Sequence, residues 1–157
     1  MTRVVRILVM SDSHGNKNAM LKAVALEYPE VILHLGDHDR DCSTIEWEYP
    51  DIPLHSVRGN CDRTSCGRDI DEFTLCGRQF FMTHGHQYGV KTGISSIISS
   101  SASRGADVLL FGHTHVPHNS SLAGMIIVNP GSIGIGGKTY AILMLKNGVI
   151  TCEIKSL

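Results

Sequence analysis

Short apolar runs that stop at polar, glycine-containing motifs punctuate this chain from end to end. Val4 to Met10 is rich in β-branched residues and halts at Ser-Asp-Ser-His-Gly, which predicts a buried strand running into a loop. Val31 to Leu35 ends at Gly36-Asp37, and Leu54 to Val57 ends at Arg58-Gly59-Asn60-Cys61-Asp62. Phe73 to Leu75 and Gln79 to Thr83 flank Cys76-Gly77-Arg78, a hairpin pattern whose second arm meets His84-Gly85-His86. Asp107 to Phe111 is another strand, ending at Gly112-His113-Thr114-His115. Met125 to Val128, Tyr140 to Leu145 and Val149 to Ile154 complete the strands, with Asn147-Gly148 as a hairpin signal between the last two. Helical spacing occurs twice. Met20, Ala23, Val24 and Tyr28 form one face up to Pro29; Val90, Ile94, Ile97, Ile98 and Ala102 form another up to Gly105, opposite a serine-rich face.

About nine strands against two helices do not supply the crossovers that one parallel sheet needs. Two sheets packed face to face with helices outside bury the apolar runs better. The chain has 157 residues, which suits a single domain over 1–157. With 42% hydrophobic and 18% charged residues and a net charge of −1, no basic stripe announces a nucleic-acid backbone or an anionic membrane, although a nucleic-acid substrate is not excluded. No apolar run is long enough to span a bilayer, and Ile7 to Met10 is too short for a signal-peptide core. The five cysteines are odd in number and lack a Cys-x-x-Cys pair, so reduced thiols and a cytoplasmic location are expected.

The motifs place Asp12 and His14, Asp37, Asn60, His84, and His113 with His115 just past five strand ends, the edge where ligands bind in open α/β sheets. Residues two apart in extended backbone point to the same side, so Asp12 with His14, and His113 with His115, can each grip one ion. Glycines 36, 59, 85 and 112 allow tight turns beside them. Four imidazoles, two carboxylates and an amide oxygen suit manganese, iron, zinc, nickel or cobalt better than calcium. Two divalent ions against Asp12 and Asp37 leave a positive excess. A bridging hydroxide and a phosphodiester would neutralise it.

Asp-x-His, Gly-Asp, Gly-Asn-Cys-Asp, His-Gly-His and Gly-His-Thr-His, in that order, resemble the calcineurin-like metallophosphoesterase superfamily and its small YfcE-type phosphodiesterase branch. The likeness extends from Val5 to Leu145 when Tyr88-Gly89-Val90-Lys91 and Asn129-Pro130-Gly131-Ser132 are included. It implies an α/β fold, a four-layer αββα sandwich of two mixed sheets flanked by helices. It also implies Asp12, His14 and His115 on one metal, Asn60, His84 and His113 on the other, and Asp37 bridging. The expected activity is phosphodiester hydrolysis through a metal-bridging hydroxide, with Mn²⁺ the favoured cofactor and Ni²⁺, Fe²⁺, Co²⁺ or Zn²⁺ as alternatives. The substrate is a small phosphoester, and the branch suggests a homo-dimer or tetramer. Phosphomonoester hydrolysis is the nearest rival. A non-catalytic protein scaffold of the same fold, like a retromer subunit, is the rival from another class.

Many superfamily members carry His after the Gly-Asn, where this chain has Cys61. A thiol with an ordinary pKa of about 8.5 is a poor proton donor, so metal-bound water, Asp62 and His38 stand beside Cys61 as alternatives for the leaving group. His86 is a candidate for substrate contact. Asp39 and Asp41 read as a solvated acidic loop, Arg58 as an exposed arginine, His34 and His55 as strand residues and His118 as surface. Gly-Gly-Lys-Thr before Tyr140 lacks the first glycine of a phosphate loop and precedes a strand, so it reads as a glycine-rich connection.

Overall fold

The structure, a computed structural model, describes residues 3–157. The β-branched run at the start forms β1 (Val4–Met10), with β2 (Val31–His34) and β3 (Leu54–Ser56) laid parallel beside it. On its other side β9 (Thr139–Lys146) runs antiparallel, and β10 (Val149–Ser156) runs antiparallel to β9. The order in this sheet is β10-β9-β1-β2-β3. The second sheet contains β4 (Ile70–Leu75), β5 (Arg78–Thr83), β6 (Val108–Leu110), β7 (His118–Leu122) and β8 (Met125–Asn129). Its order is β4-β5-β6-β8-β7, with β5, β6 and β8 parallel and antiparallel strands at both edges.

Alternation along the strands explains the layers. Ile7 and Val9 point into the gap between the sheets, where they join Leu33, Leu35, Phe80, Met82, Leu110 and Val128. Leu8 and Met10 point the other way, onto Met20, Ala23 and Val24 of α1 (Lys17–Glu27) and Ile45 of α2 (Cys42–Glu48). On the far side of the second sheet, Phe81, Leu109 and Ile127 pack against Ile97 of α3 (Ser95–Ser103). The αββα sandwich expected from the sequence is therefore the fold. Each fully buried aliphatic or Phe side chain contributes about 1.5–3 kcal/mol, which is why continuous apolar runs mark the central strands.

Several local expectations need correction. Tyr28 does not belong to the buried face of α1; it caps the helix at φ 49 and is 83% exposed, while Glu27 turns inward. Val90 and Ile94 pack with the α3 layer from an irregular segment, because α3 begins only at Ser95, after Gly93 at φ 152. α2 is an additional helix that sequence periodicity did not reveal: it has seven residues, of which Cys42 and Ile45 are buried, too few to show a stripe. β7 is likewise additional; its residues after His118 are exposed, so this edge strand shows no apolar alternation. Among the described residues, no helix is long and apolar enough to cross a membrane.

Candidate metal centre

The parallel strands of both sheets deliver their carboxyl ends to one edge. Asp12 and His14 follow β1, Asp37 follows β2, Asn60 follows β3, His84 follows β5, and His113 and His115 follow β6. Backbone hydrogen bonds lock these ends together: Asp12 N–H donates to Gly36 O at 2.9 Å, Leu35 N–H to Met10 O at 2.9 Å, and Gly112 N–H to His84 O at 2.9 Å. The sheets are joined at the same edge by His84, whose Nδ1 donates to Leu35 O at 2.7 Å and leaves Nε2 free to accept.

The ligand atoms form two adjoining groups about Asp37. In one, His115 Nε2 lies 3.2 Å from Asp12 Oδ1, and His14 Nε2 lies 3.9 Å from Asp12 Oδ1 and 3.6 Å from Asp37 Oδ2. These four residues offer donor atoms all within 4.8 Å of one another. In the other group, His84 Nε2 is 3.1 Å from Asn60 Oδ1, 3.2 Å from His113 Nδ1 and 3.5 Å from Asp37 Oδ2. Donors about 2.1 Å from a shared ion sit about 3.0–3.4 Å apart at octahedral to tetrahedral angles. The closest pairs match that spacing. Asp37 Oδ2 faces both groups, and its Oδ1 accepts the Cys61 N–H at 2.9 Å.

The electrostatics call for cations. Asp12 Oδ2 accepts from Ser11 Oγ at 2.7 Å and from His113 N–H at 3.2 Å, whereas its Oδ1 is buried with no hydrogen-bond partner among the described residues, as is His14 Nε2. Unpartnered buried carboxylate oxygens and imidazole nitrogens are costly, and a divalent ion would satisfy both. Burial raises the Asp12 carboxyl above its ordinary range despite His84 and Ser11. Burial also works against ionised Asp37, but His84 and the Cys61 N–H prevail and hold it well below the usual carboxylate range. At His84 burial works against the charged form, but Asp37, Asp12 and the Leu35 carbonyl prevail and raise the ring above its ordinary value, so this pocket favours positive charge. His113 is lowered to about 4 by burial and by His84, which keeps its ring neutral and able to ligate.

The backbone departs from the extended geometry anticipated for the Asp-x-His and His-x-His pairs. Asp12 (φ 54), His14 (φ 44), Asp37 (φ 59), His113 (φ 70) and His115 (φ 61) all occupy the left-handed region. The paired side chains reach the same place by these turns instead of by strand alternation. For residues other than glycine this conformation costs about 1 kcal/mol or more each, and it persists where the surroundings enforce it. Two glycines help: a Cβ on Gly36 would lie 2.6 Å from Gly59 N, and one on Gly59 would lie 2.6 Å from Asp37 N.

Residues that sequence reasoning missed do much of the enforcing. Asp41, expected in a solvated loop, is 1% exposed and accepts from Ser13 Oγ and Gly15 N–H at 2.8 Å each. Asn129 Nδ2 donates to Gly112 O at 3.1 Å and Thr114 Oγ1 at 2.9 Å, while Ser132 Oγ donates to Asp12 O at 2.8 Å. The Asn-Pro-Gly-Ser turn, part of the family resemblance, thus lies against the site. Asp62 is also a brace: Oδ1 accepts from the N–H groups of His38 at 2.7 Å and Asp39 at 3.2 Å, and Oδ2 from Gly59 N–H at 2.8 Å. No local pattern distinguishes these residues from loop polars; only the burial of their partners does.

The remaining candidates surround the ligands. The His86 ring is 5.5 Å from that of His84 and 6.1 Å from that of His113, and its Nδ1 is buried without a hydrogen-bond partner among the described residues. His38 lies 5.1 Å from His14, ring to ring. Cys61 is exposed, its thiol pushed up by burial and by Asp37. His38, Cys61, Asp62, Arg40 and Thr64 line a cavity of about 350 Å³ beside the metal ligands. Arg58 is not a free cation; its guanidinium grips Asp69 at 2.7 and 3.3 Å. His34 and His55 are packed as expected of strand residues, His55 stacking on Phe73 at 4.4 Å.

Residues 5–148 match the calcineurin-like phosphoesterase superfamily domain. The chain belongs to this superfamily. Over 154 residues it is 33% identical to a probable metallophosphoesterase of Bacillus subtilis, covering 94% of this chain and 88% of that protein. It is 26% identical over 145 residues to a phosphodiesterase of Methanocaldococcus jannaschii, covering 81% of this chain and 83% of that one. The crystal structure of a predicted phosphoesterase from Streptococcus pneumoniae superposes with a TM-score of 0.84 at 23% identity, covering 99% of this chain and 91% of that one. Vacuolar Protein Sorting 29 from Cryptosporidium parvum superposes with a TM-score of 0.75 at 14% identity, covering 98% of each chain. At these identities the two structures speak for the fold alone. Membership of this superfamily implies divalent metal ions, and the cluster of Asp12, His14, Asp37 and His115 is a candidate site for them.

Proposed function

We propose that this calcineurin-like protein hydrolyses phosphodiesters with two divalent metal ions, Mn²⁺ being the favoured pair. Asp12, His14 and His115 would hold one ion and Asn60, His84 and His113 the other. Asp37 would join them through Oδ2. When bound, such ions activate water and neutralise charge on the phosphoryl oxygens. The observation that carries this reading is the convergence of seven donor residues on one edge, with Asp12 Oδ1 and His14 Nε2 buried and lacking any hydrogen-bond partner among the described residues.

The protein's own groups take distinct parts. His84 is oriented by Leu35 O so that Nε2 faces the cluster. His86 stands beside His84 and His113, in position to donate to a substrate oxygen. The cavity lined by His38, Arg40, Cys61 and Thr64 would receive the leaving group. Cys61, kept as a thiol by burial and by Asp37, offers only a weak donor there. Asp62 has both oxygens engaged by backbone N–H groups, so its part is to brace Asp37 and Asn60 and the proton for the leaving group must come from elsewhere. The diester preference draws support from the phosphodiesterase relative; a monoester preference is the alternative. The scaffold reading gains only the fold shared with Vacuolar Protein Sorting 29.

Purified protein supplied with Mn²⁺ should cleave bis-p-nitrophenyl phosphate faster than p-nitrophenyl phosphate. Faster monoester cleavage would reverse the substrate preference. Absence of turnover of either compound with Mn²⁺, Ni²⁺, Co²⁺ or Zn²⁺ would remove the enzymatic reading.

A further inference from the structure

Asp41 immediately precedes α2, at the position where a carboxylate ordinarily accepts the free N–H groups of the helix that follows. It makes no such bond. Its Oδ2 instead reaches the loop after β1 and accepts from Ser13 Oγ and Gly15 N–H, each at 2.8 Å. Those two residues flank His14, which is held at φ 44 with Nε2 3.6 Å from Asp37 Oδ2. The hydroxyl of Ser13 is aimed from behind. Gly36 N–H donates to His34 Nδ1 at 3.2 Å, so the ring proton is on Nε2, which faces Ser13 Oγ at 3.0 Å. Ser13 Oγ therefore accepts from His34 and donates to Asp41. All three side chains are buried, with His34 and Ser13 at 0% and Asp41 at 1% exposure.

We propose that Asp41 is a positioning residue for the metal ligand His14, clamping the loop on both sides of it through Ser13 and Gly15. The inference rests on the two-metal reading and extends it. Asp41 touches none of the ligand atoms; its clamp holds the loop around His14, approaches the shared Asp37 only at its backbone O, 3.4 Å from Ser13 Oγ, and reaches none of Asn60, His84 or His113. The two metal pockets should therefore respond unequally.

Metal-free parent protein, Asp41→Ala and Asp41→Asn are titrated calorimetrically with Mn²⁺, alone and in a His14→Ala background. The parent should take up two ions per chain. Asp41→Ala should weaken one site by about 10- to 100-fold and change the other by less than about twofold, the size expected for a group that orients a metal ligand. Asp41→Asn keeps an oxygen able to accept both donors and should weaken the same site less. It also decides the matter if the alanine variant does not fold. In the His14→Ala background neither substitution should weaken binding further, since the residue being positioned is gone. Equal loss at both sites, no loss at either, or additive loss in the His14→Ala background would overturn the proposal. Fewer than two ions on the parent would instead overturn the binuclear reading, and this inference with it.

Discussion

The two halves of the proposed metal centre meet at Asp37 and are built by different means. In the Asn60–His84–His113 half, His84 is fully buried, directly follows β5 and is pinned to Leu35 O across the sheets at 2.7 Å. In the Asp12–His14–His115 half, all three ligands have left-handed backbone, and the His14 and His115 side chains are 21% and 37% exposed. The first half has one buried, pinned histidine and no carboxylate of its own, and its His113 (φ 70) shares the left-handed backbone; the second has a private carboxylate held by strained turns. Charge should decide the order of affinity, because a carboxylate against a divalent ion in a partly dry pocket contributes several kcal/mol. The turn strain, about 1 kcal/mol per residue, is already present in the fold before any ion arrives. The half containing Asp12 is therefore expected to hold its ion more tightly.

The largest effect should come from the residue both halves share. Asp37→Asn should lower diesterase activity by about 1000-fold or more and weaken both sites, as expected if several kcal/mol of charge stabilisation depends on it. Full activity with bound metal would mean that Asp37 bridges nothing. The comparison itself is tested next. Chelator titration followed by elemental analysis should strip one ion before the other. Asp12→Asn should reverse or abolish that order, at a cost of about 100-fold in affinity for its own half if a few kcal/mol is lost. An unchanged order of release would show that anchoring outweighs charge.

A smaller effect is expected where the halves meet. Gly59→Ala puts a Cβ within 2.6 Å of Asp37 N and should displace the bridging carboxylate. Activity should fall by about 10- to 100-fold, as for other changes behind a metal ligand, with circular dichroism near that of the parent. Parental activity would show that the two turns yield without moving Asp37.

The weakest effect on catalysis should come from the buried relay behind His14. Burial lowers His34 to about 4, so in the metal-free fold it stays neutral while the same histidine in the unfolded chain protonates near its ordinary value of about 6.5. The unfolded state then binds more protons, and stability should fall as pH drops from about 6.5 to about 4, by at most about 3 kcal/mol from this group. Urea unfolding of metal-free His34→Gln should show a shallower decline over that window. An identical slope in parent and variant would assign the pH dependence to other groups.

How much of this was legible depends on the range of the interaction. All seven proposed ligands were readable as single residues after apolar runs, because a strand between two layers must be continuously apolar and must end where the chain turns polar. Asp41 was not, because a buried clamp and a solvated loop residue look alike until their partners are known, and Asn129 and Ser132 were flagged only by the family resemblance of their turn. α2 and β7 were missed for a related reason, one being too short for a stripe and the other an exposed edge.

Local order along the chain encodes the strands, the layered α/β class, the ordered ligand motifs and the family they resemble, since each depends on neighbours a few positions apart. Packing of the two sheets is what makes His84 tie them together, turns one oxygen of Asp37 toward both halves, and brings the Asp-x-His and His-x-His pairs together through left-handed turns. Those outcomes are set by contacts such as Ser132 with Asp12, 120 positions apart along the chain. No local pattern encodes such contacts, because their energy exists only once both sheets are packed.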